Sequence, residues 1–325
     1  MRRLSSVTFL FAAAAAAAQV TATPPPAQGD PVFGIDTRLV QLHATVVDAK
    51  GRLVTNLNQA AFTVLENGAP QPLKQFKRED VPVSLGLIVD NSGSMRDKRT
   101  KVNQAALALV KGSNREDEVF IVNFNDEAYL DRTFTSDIKK MEEALTKIDS
   151  RGGTAMRDAV SMSMDYLKEK GRRDKKVLLV VTDGDDNTSS AANTMEKLVE
   201  KAQQTEILIY TIGLLSEEER SKAKRATRAL SALASASGGA AYFPKGVEDV
   251  EQLAVQVAHE IRNQYLLMYT PVNSALDGTY RRIQVTAKGQ GKLSVRTRSG
   301  YYATPDQKAP KQKTAPPAGA NTLQP

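Results

Sequence analysis

The residues of this chain that could do chemistry are oxygen donors gathered at three places. Asp90-Asn91-Ser92-Gly93-Ser94 sets a carboxylate and two hydroxyls at i, i+2 and i+4 in a Gly-containing loop, a spacing that lets all three turn towards one point. Gly152-Gly153-Thr154 offers another hydroxyl ahead of a helical stretch, and Thr182-Asp183-Gly184 offers a second carboxylate at the end of an apolar run. Hydroxyls and carboxylates are ligands for hard divalent cations. Asp90, Ser92, Ser94, Thr154 and Asp183 together therefore suit Mg²⁺ or Mn²⁺, with Ca²⁺ as the alternative. The remaining inventory points the same way. The 325 residues include no Cys, no Trp and only two His, His43 and His259, against 37 Asp and Glu. Without Cys there are no disulfides, no thiol catalysis, no zinc knuckles and no iron–sulfur clusters.

These loops need elements to hold them. Ser84–Val89 is a continuous apolar run ending at Asp90. Glu118–Phe124 is a second run. Lys176–Thr182 is a third, ending at Asp183, and Glu206–Ile212 is a fourth, ending at Gly213. Such runs suit parallel strands buried on both faces. Helical periodicity falls between and after them: Val102, Ala105, Ala106, Leu109 and Val110 share a face, as do Met141, Leu145 and Ile148, then Ala159, Met162 and Tyr166, and finally Val250, Leu253, Ala254, Val257 and Ile261. Strand–helix alternation over 83–262 predicts an α/β fold with a doubly wound, mostly parallel sheet and helices on both faces. In such sheets ligands bind at the carboxyl ends of the strands, which is where Asp90 and Asp183 fall. His259 lies off the apolar stripe of the last helix and is expected to face solvent. His43 sits mid-strand with no second His nearby and reads as a strand residue rather than a ligand.

The flanks have a different pattern. Residues 31–80 show strand alternation from Leu39 to Val47. Phe62–Leu65 and Leu73–Phe76 flank Asn67-Gly68, a strong hairpin signal. Strand character returns over 264–303 in Tyr265–Tyr269, Tyr280–Val285 and Leu293–Thr297. Each flank is marginal as a small sheet alone. The two are therefore expected to form one β-sandwich, with the 83–262 domain inserted between them or flanked by it. Residues 1–22 read as a signal peptide: Arg2 and Arg3 precede an apolar stretch from Leu4 to Ala18, with small residues at cleavage spacing. The alternative is a retained membrane anchor, but the stretch falls short of the ~20 residues a spanning helix needs, which favours cleavage and a mature chain with no membrane span. Residues 23–30 form a Pro-rich linker, and 304–325 a tail too poor in apolar residues to fold. The mature chain is expected to be exported, either periplasmic or secreted.

Other chemistries lack parts. Asp90-Asn91-Ser92 has Ser where an aspartate-nucleophile phosphatase needs its second Asp. No phosphate-binding P-loop occurs, and a Ser-His-Asp triad has no base near the cleft. The run from Asp183 to Asn187 hints at a calcium loop, but Thr188 replaces the turn Gly and Thr194 the closing Glu. Asp185 and Asp186 then read as a solvated acidic loop adding negative potential. The net charge of +7 comes from 44 Lys and Arg. The clusters Lys98-Arg99, Arg172-Arg173 and Lys175-Lys176 have acids nearby and no interleaved aromatics, which reads as mixed-charge surface and not as a nucleic-acid interface.

With these residues in view, the region 83–262 resembles a von Willebrand factor type A (VWA) domain. Asp90-Asn91-Ser92-Gly93-Ser94, Thr154 within Gly-Gly-Thr-Ala-Met-Arg-Asp-Ala, and Asp183 within Thr-Asp-Gly match its metal-ion-dependent adhesion site. The flanking segments are similar to secreted bacterial VWA-related proteins. The resemblance implies that Ser92, Ser94 and Thr154 contact the metal directly, with Asp90 and Asp183 often acting through water. It implies a non-enzymatic module that grips an Asp or Glu of a protein partner through the cation. The alternative is a periplasmic assembly or scaffold factor in which the metal is partly structural. The loops 95–100, 125–127, 151–157, 184–193 and 214–220 would then select the partner.

Overall fold

The strand that ends at Asp90 is buried at every position from Val83 to Asp90, the signature of a central strand covered on both faces. A computed structural model describes residues 39–305 apart from 79, 113, 147–149 and 217. Residues 1–22, read above as a signal peptide, residues 23–30, read as a linker, the tail from 306 onward and Ile148 lie outside the described residues.

Four strands come first: β1 (Val40–Val47), β2 (Phe62–Glu66), β3 (Ala69–Gln71) and β4 (Leu73–Lys77). The α/β layer follows as β5 (Val83–Asp90), α1 (Arg99–Lys111), β6 (Glu118–Phe124), β7 (Ala128–Thr135), α2 (Ile138–Thr146), α3 (Met156–Lys170), β8 (Lys175–Thr182), α4 (Met195–Gln204), β9 (Ile207–Gly213), α5 (Arg220–Ser237), β10 (Ala241–Tyr242) and α6 (Val250–Arg262). The chain then returns to strands as β11 (Tyr265–Tyr269), β12 (Tyr280–Ala287), β13 (Ser294–Arg296) and β14 (Gly300–Tyr302).

The central sheet runs β10-β9-β8-β5-β6-β7. Its first five strands are parallel, and β7 pairs antiparallel with β6. The four apolar runs thus become the four inner strands β9, β8, β5 and β6. The edge strand β7 is only partly buried and carries no continuous apolar run, so the sequence pattern did not mark it. Two apolar layers sandwich the sheet. Leu85, Leu87 and Val89 pack with α1, α2 and α6, while Ile88 packs with Phe120, Val122, Val180 and the helices α3, α4 and α5. Each such side chain removed from water contributes about 1.5–3 kcal/mol. On α3 the buried arc is wider than the Ala159–Met162–Tyr166 stripe. Val160, Ser163, Met164 and Leu167 are fully covered, and Tyr166 sits at the rim with its ring 4.9 Å from Phe120 and 5.5 Å from Phe134.

Both flanks contribute to each of two further sheets, β13-β1-β11-β4 and β14-β12-β2-β3. Their facing sides share one core that includes Leu42, Val64, Tyr265, Leu267 and Val285. Tyr265 of one sheet lies 4.9 Å, ring to ring, from Phe62 of the other. The sandwich built jointly by N- and C-terminal strands is the expected arrangement. One local pairing differs. The Asn67-Gly68 turn, with φ 49° and 85°, joins β2 to β3, not to Leu73–Phe76. Pro72 has no N–H for the ladder, and the chain leaves for the other sheet, where Phe76 pairs with Leu267. The three-residue β14 is too short to show a period, and it adds a fourth strand to the C-terminal flank.

Glu260 joins the two parts of the fold. It is buried at the end of α6 and accepts hydrogen bonds from Tyr210 of β9 (3.0 Å), Tyr242 of β10 (2.8 Å) and Thr45 of β1 (3.3 Å). It also pairs with Arg296 of β13.

Candidate functional site

Strands β5 and β8 are parallel neighbours in register, Val89 opposite Val181, so their carboxyl ends bring Asp90 and Asp183 to one edge of the sheet. Asp90 is buried. Its Oδ1 accepts the Ser92 backbone N–H at 2.8 Å, and its Oδ2 accepts the Thr182 hydroxyl at 2.5 Å. Burial pushes its carboxyl up to about 6, and the Asp183 charge adds to the rise, while the hydrogen bonds from Ser92 and Thr182 pull the other way. The chain beyond Asp90 turns through Gly93–Met95, pinned by the fully buried Met95. This turn puts Ser92 Oγ 3.2 Å from Ser94 Oγ, and Ser94 donates to Asp183 Oδ1 at 2.8 Å. Asp90, Ser92, Thr154 and Asp183 are buried, whereas Ser94 is exposed. The cluster therefore opens to solvent on one side.

Thr154 is delivered by a loop held at several points. Gly152 adopts φ +75°, and a Cβ there would meet Asp126 Oδ2 at 2.1 Å, so the position needs glycine. Asp126 accepts the Gly153 N–H at 2.7 Å, and Gly93 N–H bonds the Gly152 carbonyl. The Thr154 N–H donates to Asn187 Oδ1, while its carbonyl accepts from the backbone of Asn187. The Thr154 Oγ1 lies 3.9 Å from where a Cβ at Gly184 would sit, so it abuts the residue after Asp183. All five sequence-derived residues thus meet at one strand edge. Three hydroxyls and two carboxylates are a donor set that fits a hard divalent cation. Among the described residues no group of three or more His, Cys, Asp or Glu is arranged to hold a metal. His43 lies on β1, and His259 is exposed on α6.

Three readings of the surroundings need correction. The acidic residues 185 and 186 are not a solvated source of negative potential. Asp186 accepts the Arg157 N–H at 2.7 Å at the start of α3, where an acid complements the helix dipole, and pairs with the Arg157 guanidinium at 2.9 Å. Asp185 pairs with Arg225 at 2.8 Å. Between these pairs lies a pocket of about 170 Å³ with Met156, Met195 and Leu230 in its lining. Lys98 is not mixed-charge surface either. Its side chain is 12% exposed, and its Nζ donates to Asp183 Oδ2 at 2.7 Å. A signal for it was available: Lys98-Arg99 opens α1 with no acid in the first turn, where a cation opposes the dipole unless an anion lies nearby. Lys175 is likewise buried, not surface. Residues 214 and 215 of the supposed outer ring of loops are buried leucines.

The sequence profile of the von Willebrand factor type A domain matches residues 85–187. Inter-alpha-trypsin inhibitor heavy chain H4 from Sus scrofa is 26% identical over 144 residues, 41% of this chain and 16% of that protein. Calcium-activated chloride channel regulator 1 from Mus musculus is 27% identical over 139 residues, 39% of this chain and 14% of that protein. The chain thus matches about one sixth of the length of these relatives. Among solved structures, a von Willebrand factor type A protein from Catenulispora acidiphila aligns with a TM-score of 0.49 and 13% identity, covering 84% of this chain and 76% of that one. The corresponding domain of the type V pilus tip protein Mfa5 from Porphyromonas gingivalis aligns at 0.45 and 12%, covering 56% and 95%.

Proposed function

We propose that this chain, whose residues 85–187 match the profile of the von Willebrand factor type A domain, a module that commonly mediates protein–protein interaction, is an exported, metal-dependent protein-binding module of the adhesion type. Asp90, Ser92, Ser94, Thr154 and Asp183 would hold Mg²⁺ or Mn²⁺. The observation that carries the reading is the chain of contacts from Ser92 Oγ through Ser94 Oγ to Asp183 Oδ1, with Ser94 at the solvent edge. Bound there, the cation would supply an open position for an Asp or Glu carboxylate of a partner. The protein's own contribution is rigidity: Thr182 and the Ser92 N–H fix Asp90, and the Asp126 and Asn187 contacts fix Thr154. The pocket lined by Met156, Met195 and Leu230, beside Gly184, gives a partner's neighbouring side chains a surface to contact.

Export rests on the signal-like residues 1–22. Among the described residues no helix is long and apolar enough to cross a membrane. Mg²⁺ or Mn²⁺ is expected to raise the melting temperature of the chain, and Asp183→Ala to abolish that rise. A pull-down from exported proteins is expected to capture a partner that chelator releases. No divalent binding by calorimetry at about 10 mM metal, well above ordinary weak-site affinities, would overturn the site. Metal binding without chelator-sensitive capture would favour the scaffold reading, in which the cation supports the fold.

A further inference from the structure

Asp183 has a wholly buried side chain. Its Oδ1 is met by the Ser94 hydroxyl and its Oδ2 by the ammonium of Lys98 at 2.7 Å. Lys98 stands at the N-terminal end of α1, next to Arg99 and with no acid in the first turn. The helix dipole disfavours a cation at that end. Asp183 is one carboxylate that receives the charge. The lysine stem is flexible and the side chain as a whole is 12% exposed, so the ammonium can reach either the carboxylate or water.

We propose that Lys98 is a tethered counter-ion that competes with the divalent cation for Asp183 and sets the site's metal affinity. This inference rests on the metal-binding reading of Asp90, Ser92, Ser94, Thr154 and Asp183. A divalent ion entering beside Asp183 meets a positive charge already hydrogen-bonded to that carboxylate. The ammonium must swing out to solvent or stay and repel, and either course weakens binding. Without metal, the same ammonium keeps a buried carboxylate paired, and an unpaired buried charge is costly. Lys98 thus stabilises the metal-free protein and makes loading depend on cation concentration.

The test is isothermal titration of Mg²⁺ and Mn²⁺ into the full chain and into Lys98→Gln, Lys98→Met and Lys98→Arg, with Lys101→Gln as an exposed control on the same helix. Melting curves with and without chelator accompany each titration. The two neutral variants are expected to bind metal about tenfold tighter or more, since they remove a unit charge at hydrogen-bond range. They should melt lower than wild type in chelator and gain more from metal. Lys98→Arg and Lys101→Gln should titrate like wild type. If wild type binds metal and both neutral variants bind equally or more weakly, the counter-ion role is wrong and the site stands. If none of the folded proteins binds metal, the site reading fails and the inference with it. If one neutral variant does not fold, the other carries the comparison. If neither folds, Lys98→Ser takes their place, and a folded Lys98→Ser protein that binds metal no tighter than wild type and melts like it in chelator would overturn the role.

Discussion

Thr182, the last residue of β8, donates its hydroxyl across the sheet to Asp90, the last residue of β5, at 2.5 Å. The bond lies one residue before Asp183 on one strand and two before Ser92 on the other, so it fixes the spacing of the two chains that supply the site. Thr182→Val keeps the shape and removes the donor. With Asp90 buried, the loss of one bond to a carboxylate is expected to cost about 1–3 kcal/mol. Asp90→Asn has the opposite expected sign in chelator. It removes a charge that burial and Asp183 both disfavour, while its oxygen still accepts the Ser92 N–H. It should therefore be as stable as wild type or more so in urea, yet gain no stability from metal. An Asp90→Asn protein that is markedly less stable than wild type in chelator would contradict this account.

Asp185 and Asp186 are adjacent acids with different work, and their alanine variants should differ sharply. Asp186 receives the Arg157 N–H at 2.7 Å and the Ser189 hydroxyl at 2.6 Å, and pairs with the Arg157 guanidinium, all at the first turn of α3. Removing it should cost about 1–2 kcal/mol as a lost helix cap. It should also loosen the 184–193 loop, whose Asn187 holds Thr154, and so weaken metal binding. Asp185 pairs with a half-exposed Arg225. Its alanine variant should lie within about 0.5 kcal/mol of wild type. Urea midpoints and metal titrations of the two variants give the comparison, and equal losses in both would refute the division of roles.

The legibility of this chain follows burial. Strands β5, β6, β8 and β9 were readable because two-sided burial leaves an uninterrupted apolar run. Both carboxylates were located because they end two of those runs. The edge strand β7 and the three-residue β14 carry no such pattern. The second tier of the site was hidden for another reason. Asp126, Asn187 and Asp186 act on backbone N–H groups far along the chain, and no local spacing announces that kind of partner. Lys98 and Lys175 resembled surface charge because composition cannot tell a solvated lysine from one whose ammonium is turned inward to a carboxylate or a carbonyl.

Lys175 should give the stability of this fold a distinctive pH dependence. It opens β8, is 4% exposed, and its Nζ donates to the Ile261 carbonyl at the end of α6. Burial lowers its ammonium to about 7, against the opposing pull of Asp80, Asp117 and Glu260. In the unfolded chain a lysine keeps its proton to about 10.4. Between those values the unfolded state binds more protons than the folded one. Stability therefore rises with pH across that window, by up to about 1.4 kcal/mol per pH unit, and the penalty is fully present below about 7. Lys175→Met removes the titrating group, so wild type should gain on the variant as pH climbs from 7 towards about 9.5. His43, beside Lys175 and Arg298, titrates well below the window, and the tyrosines Tyr210, Tyr242 and Tyr269 are held above their usual range by burial; Lys176, which burial also lowers, is present in both proteins and cancels in the comparison. Urea denaturation of both proteins across the window decides the point, and parallel stability curves would show that Lys175 stays protonated in the fold.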